Sequence, residues 1–217
     1  MNKPLLALAL SAAALHAQAT ILGPSQLVGS SSHPYDANQS LAQTFVSHDT
    51  MTVDSIELLA DSWFGQGNQP LTISLYQLAD RSSPLGTLLG TVSVTNGLGK
   101  TWPSWASVDM SGAGLTLQNG SLYSLVFRSS YSGDINHANM LGFNAKGDIY
   151  PEGQLWIEEN GSWRLESDWI NFDTPGVSDI AFKIYGTPLN SEVPLPGAGL
   201  AFLSGVAALY RVARRRS

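Results

Sequence analysis

Leu71-Thr72-Ile73-Ser74-Leu75-Tyr76 alternates apolar and polar side chains with a period of two. Successive side chains of an extended strand point to opposite faces, so this pattern buries Leu71, Ile73 and Leu75 and turns Thr72, Ser74 and Tyr76 the other way. The period recurs at Val92 and Val94, between Thr91, Ser93 and Thr95, and again at Ile180, Phe182 and Ile184, between Ala181, Lys183 and Tyr185. Shorter runs of the same kind stand at Ala42–Val46, Thr52–Leu59, Ala106–Met110, Leu122–Arg128, Leu141–Asn144 and Gln154–Glu158. Asn96-Gly97, Asn119-Gly120 and Asn160-Gly161 are tight-turn dipeptides of the kind that close hairpins. No stretch between Thr20 and Asn190 holds a helical 3.6 period, and 21 Gly and 11 Pro punctuate the chain. The pattern predicts an all-β fold, an antiparallel β-sandwich of nine or ten strands close to a jelly roll.

Both ends of the chain read differently. Residues 1–19 have the form of a secretory signal peptide: Lys3 supplies the positive start, Leu5–Leu15 the apolar run, and Ala17-Gln18-Ala19 the small-x-small cleavage site. At the other end, Val193-Pro194-Leu195-Pro196 precedes the uncharged run Gly197–Tyr210, followed by Arg211 and the cluster Arg214, Arg215 and Arg216. Two prolines break whatever enters from upstream, so a helix starts at Gly197. Fourteen residues give about 21 Å of helix, and extension through Val212 and Ala213 gives about 25 Å, against a hydrocarbon core of about 30 Å. A transmembrane helix over 197–213 is therefore short. Arg211 reaches the interface by snorkelling, and the arginine cluster holds its end in the cytoplasm, which places residues 20–190 outside.

That ectodomain is the size of one domain. It carries Arg81, Lys100, Arg128, Lys146, Arg164 and Lys183 against sixteen of the seventeen acidic residues, within a chain of net charge −6. Nucleic acid and anionic membrane surfaces need a basic face, so neither is an expected partner. With no cysteine anywhere in the 217 residues, the domain stands on its core without disulfides.

The tail, in its order of Pro-x-Pro, weak span and terminal arginines, resembles the PEP-CTERM sorting signal in its VPLP-type variant. Leu195 stands where the commonest form has Glu and Gly197 where Ala is usual, but order and spacing are kept. The resemblance implies a Gram-negative, exopolysaccharide-producing source and an exosortase, a membrane protease-transpeptidase that removes the tail. It also implies transient anchoring in the inner membrane before the protein reaches the cell surface or medium. Within the domain, Ala42-Gln43-Thr44-Phe45, Val53-Asp54-Ser55-Ile56, Leu71–Leu78, Pro84–Leu89, Leu117–Leu125 and Asp179–Gly186 follow one another in an order similar to the choice-of-anchor R domain, over roughly Ser40 to Thr187. That family of exported β-sandwiches supplies no catalytic residues to carry over.

Nothing in the sequence points to catalysis. His33, His48 and His137 are far apart and form no H-x-H or H-x-x-x-H pair, and no nucleophile elbow, P-loop or dinucleotide fingerprint is present. Glu158 and Glu159 are adjacent, and strand neighbours point to opposite faces, so they do not converge on one glycosidic bond. Asp134, Asn136 and Asp148 offer oxygen ligands for a structural Ca²⁺, the only cofactor in view, but they lack a dense D-x-D-x-D-G pattern, and a solvated polar loop is the preferred reading. Trp63, Trp102 and Trp105 stand in turn-like contexts, where an aromatic either caps the end of a sandwich or offers a flat face to a sugar ring. Trp156, between Leu155 and Ile157, reads as core. These features predict a non-enzymatic exported surface or extracellular-matrix protein associated with exopolysaccharide. A carbohydrate-binding module is the alternative, and a glycan-degrading enzyme ranks third.

Overall fold

The structure, a computed structural model, describes residues 19–22, 31–35, 39–60, 67–99, 104–129, 131, 139–143, 150–166 and 179–189. All fall in one compact unit, Gln18–Asn190. In chain order the strands are β1 (Ala19–Leu22), β2 (Ser31–Tyr35), β3 (Gln39–Val46), β4 (Met51–Ala60), β5 (Leu71–Leu78), β6 (Thr87–Val94) and β7 (Ser104–Asp109). There follow β8 (Thr116–Leu117), β9 (Leu122–Ser129), β10 (Asn139–Phe143), β11 (Leu155–Glu159), β12 (Ser162–Leu165) and β13 (Phe182–Pro188). The one helical element among the described residues is the short 3₁₀ turn Ser111–Ala113.

The all-β, antiparallel expectation holds, with corrections. Thirteen strands are described rather than nine or ten, and β1, β2, β8 and β12 are the additions. Each has five residues or fewer, too few for a period of two to stand out. Ile180 lies in an isolated bridge, so the last alternating strand begins at Phe182.

Two sheets result. One has the order β1-β13-β4-β10-β2, with β7 and β8 also pairing to β4; the other is β12-β11-β3-β9-β5-β6. Of the three Asn-Gly dipeptides only Asn160-Gly161 closes a hairpin, between β11 and β12, with φ of 53° and 79° as a type I′ turn demands. Asn96-Gly97 and Asn119-Gly120 instead carry the chain from one sheet to the other: β6 pairs with β5 but β7 with β4, and β8 pairs with β4 but β9 with β3 and β5.

Inward residues of both sheets form one apolar cluster. Phe45 of β3 lies 5.7 Å from Tyr123 of β9 and 5.7 Å from Phe182 of β13, centroid to centroid, and Tyr150 meets Phe182 edge-on at 5.8 Å. Burial pushes the Tyr150 phenol up to about 12, the charges of Glu152 and Asp179 add to the shift, and a hydrogen bond to the Val46 backbone and the charge of Arg81 oppose it. The folded chain thus keeps this proton where an unfolded tyrosine, with its value of 10.0, gives it up. Tyr150 contributes stability that is complete below pH 10 and is lost as pH rises toward 12. Urea unfolding followed by circular dichroism from pH 9 to 12 is expected to show a smaller alkaline loss for Tyr150→Phe than for wild type; parallel losses would refute the assignment.

Candidate functional site

Strand alternation gives the six-stranded sheet two apolar faces rather than one. Leu41, Phe45, Ile73, Leu75, Leu125, Phe127, Leu155 and Ile157 enter the main core. The residues between them do not: Ala42, Val126 and Trp156 form a second cluster on the outer face, with Tyr76, Trp163 and Leu165 packed around it. Register explains the grouping. Trp156 is paired with Leu165 on one side and Ala42 on the other, Ala42 with Val126, and Val126 with Ser74. Small Ala42 and Val126, fully buried, thus floor a row between indole rings at the β11–β12 end and Tyr76 on β5.

Polar groups stand along the same face. Arg128 of β9 places its guanidinium carbon 5.8 Å from the centre of the Trp163 ring, and its Nη2 is 3.6 Å from Glu158 Oε2. The first distance is near the outer limit of a cation–π contact, and the second exceeds a charge-assisted hydrogen bond. No hydrogen bond among the described residues engages Nε or Nη1 of Arg128. Trp156 is 7 % exposed, and its Nε1 has no hydrogen-bond partner; nor has the fully buried hydroxyl of Ser124, which pairs across β9 with Thr44 and Tyr76. Buried polar atoms are seldom left so, and each needs a reason. A cavity of about 270 Å³ adjoins the row, walled by Thr72, Ser93, Thr95 and Arg128, with Pro70, Leu71, Val94 and Ser129.

Glu159 turns away from this face to Arg164, which it meets at 3.2 Å, and Glu166 meets the same arginine at 2.9 Å. Burial works to lower the Arg164 pKa, but the hydrogen bond to Glu159 and the two carboxylate charges raise it on balance. Glu158 and Glu159 are therefore split between two arginines, as strand geometry requires. His48 meets Glu152 at 2.7 Å in an exposed pair.

Most of the sequence-derived site residues lie outside the described residues: Ala17, Trp63, Trp102, Asp134, Asn136, Asp148, Val193, Pro194, Leu195, Pro196, Arg211, Arg214, Arg215 and Arg216, with the helix 197–213. Ala19 opens β1, opposite Gly186. Trp105 lies within β7 rather than in a turn, on the seven-stranded sheet, and Lys183 Nζ caps its ring at 3.8 Å while bonding Glu57 at 2.9 Å. Trp156 is buried as expected, but in the outer cluster and not the main core. The sequence assigns Trp163, Tyr76 and Arg128 no role in a site. A signal existed: a two-residue turn at Asn160-Gly161 pairs Glu158 with Trp163 and Trp156 with Leu165, which puts both tryptophans on one face. Among the described residues no group of three or more His, Asp or Glu is placed to hold a metal, and no helix is long and apolar enough to cross a membrane.

No family model and no curated protein matches the chain. Among solved structures it is similar to the cysteine protease and lectin-like domains of Cwp84, a surface layer associated protein of Clostridium difficile, at 16% identity and a TM-score of 0.42, over 70% of this chain and 32% of that one. It is similar also to the clostridial cysteine protease Cwp84 after propeptide cleavage, at 15% identity and a TM-score of 0.47, over 78% and 40%. The chain spans well under half the length of either. A likeness of this degree carries no argument about activity or partners.

Proposed function

We propose that this is a non-enzymatic protein of the bacterial surface or extracellular matrix whose ectodomain, a jelly-roll-like β-sandwich, associates with exopolysaccharide. Residues 1–19 export it. The Val193–Pro196 turn, the helix 197–213 and the arginines behind it present it to an exosortase-type protease in the inner membrane, which releases it to the surface. The observation that carries the polysaccharide half is the outer face of the six-stranded sheet, where Trp156, Trp163 and Tyr76 surround small residues on a surface that an ordinary solvated face would fill with charge. The same observation favours a carbohydrate-binding module as the ectodomain's role. For the sorting half, support comes from the tail sequence alone.

Anchoring needs apolar length and positive flanks, whereas proteolytic sorting also needs an extended, unpaired segment for the protease to grip. Pro194 and Pro196 supply that segment, since each lacks an N–H and biases its predecessor away from helix. Changing both to alanine leaves the span untouched. Wild type is expected to lose its C-terminal helix and reach the surface or medium of its host, and the double variant to stay full-length in the inner membrane. Identical sizes and locations of the two would reduce the tail to a plain anchor.

A further inference from the structure

We infer that the outer face of the six-stranded sheet takes an uncharged polysaccharide with flat, equatorially substituted rings, and discriminates against an acidic one. The inference rests on the polysaccharide reading above and names the chemistry it would recognise. Arg128 and Glu158 lie side by side at 3.6 Å, their side chains 37% and 22% exposed, with neither saturating the other. Such a pair offers donors and acceptors together, the combination that adjacent sugar hydroxyls satisfy, each being donor and acceptor at once. Trp163 supplies an apolar plate that the guanidinium, at 5.8 Å, does not closely cover, in contrast to Trp105, whose ring Lys183 caps at 3.8 Å. The adjoining cavity, at about 270 Å³, lies just below the range of whole small-molecule sites, so it fits one ring of a chain rather than a compact ligand.

Charge decides between neutral and acidic chains. A uronate carboxylate brought to Arg128 comes also to Glu158, in a protein already at net −6. Like charges at such range oppose binding, and salt weakens that opposition. A neutral chain meets no such barrier. A nucleic acid or other phosphate polymer is excluded more strongly, since Arg128 is the one cation among the described residues of this face and phosphate chains need several.

The full chain, kept in non-ionic detergent, is run through native gels containing hydroxyethylcellulose, which is neutral, or carboxymethylcellulose, which has the same backbone and is anionic. Retardation in the neutral polymer is expected to exceed that in the anionic one by about tenfold in apparent affinity, with the gap narrowing as salt rises. Trp163→Ala is expected to lower neutral binding by about threefold to tenfold, and Glu158→Gln to raise binding of the anionic polymer. The ligand pair tests the inference even if a variant fails to fold. Equal or stronger retardation by carboxymethylcellulose overturns the inference and leaves polysaccharide association standing. No retardation by either polymer overturns the inference as well; a blank pull-down of the host's own exopolysaccharide would then remove the parent reading too.

Discussion

Replacing Gln43 with leucine is expected to destabilise the folded unit by about 3 kcal/mol, or roughly 6–12 °C in Tm. Gln43 is fully buried on the inward side of β3, and it bonds a segment far along the chain at the entry to β13. Its Nε2 donates to Asp179 Oδ1 at 2.9 Å and to the Thr44 carbonyl at 3.2 Å, and its Oε1 accepts the Ile180 N–H at 2.7 Å. Leucine nearly matches the volume, so little cavity opens; what is lost is a donor to a buried carboxylate and the acceptor of a buried backbone N–H. Thermal or urea unfolding by circular dichroism measures the loss, and a midpoint equal to wild type would show that the clamp contributes nothing. Adding Asp179→Leu is expected to recover part of the stability, because removing both partners costs less than stranding one. Ala42 and Thr44 flank Gln43 and face the other way, so the single variant is also expected to loosen the floor of the candidate site.

Gly97→Ala is expected to cost about 3 kcal/mol as well, by a different route. Gly97 has φ of 65°, and an added Cβ would stand 2.0 Å from the Gly67 carbonyl oxygen and 2.6 Å from Asn139 Oδ1. Neither can retreat cheaply. Gly67 O already accepts the Gly99 N–H at 2.9 Å, while buried Asn139 accepts the Leu98 N–H at 3.1 Å and donates to the Gln69 carbonyl at 2.8 Å. Gly120→Ala is the control: φ is 76°, but nothing lies within 4 Å of the added carbon, so only the left-handed backbone penalty of about 1–2 kcal/mol applies. Equal urea midpoints for the two variants would show that the packing against Gly67 carries no weight. Val94 and Thr95 of the cavity wall immediately precede the turn, so the Gly97 variant should also weaken any binding there.

These two sites mark where the sequence could be read and where it could not. The alternation of Leu71, Ile73 and Leu75 gives β5 and its inward face correctly, because a period of two is a local property of the extended chain. It fails at Trp156, whose neighbours Leu155 and Ile157 are apolar too: where both faces of a strand are covered by apolar residues, periodicity marks two faces without saying which meets the main core. Asn-Gly at 96–97, 119–120 and 160–161 announces a chain reversal each time, since that dihedral preference belongs to the dipeptide. Only at 160–161 does the next strand lie beside the last.

By itself the sequence determined that the described domain is all-β, where its longer strands run and turn, and which end carries apolar length and positive charge, since each of these follows from residues close together along the chain. The tertiary structure alone decided that Gln43 meets Asp179, that Gly97 lies against Gly67, and that Trp156, Trp163, Tyr76 and Arg128 share one outer face. Those juxtapositions depend on which strands become neighbours in the sheet, and strand partnership is settled by packing between residues distant in sequence.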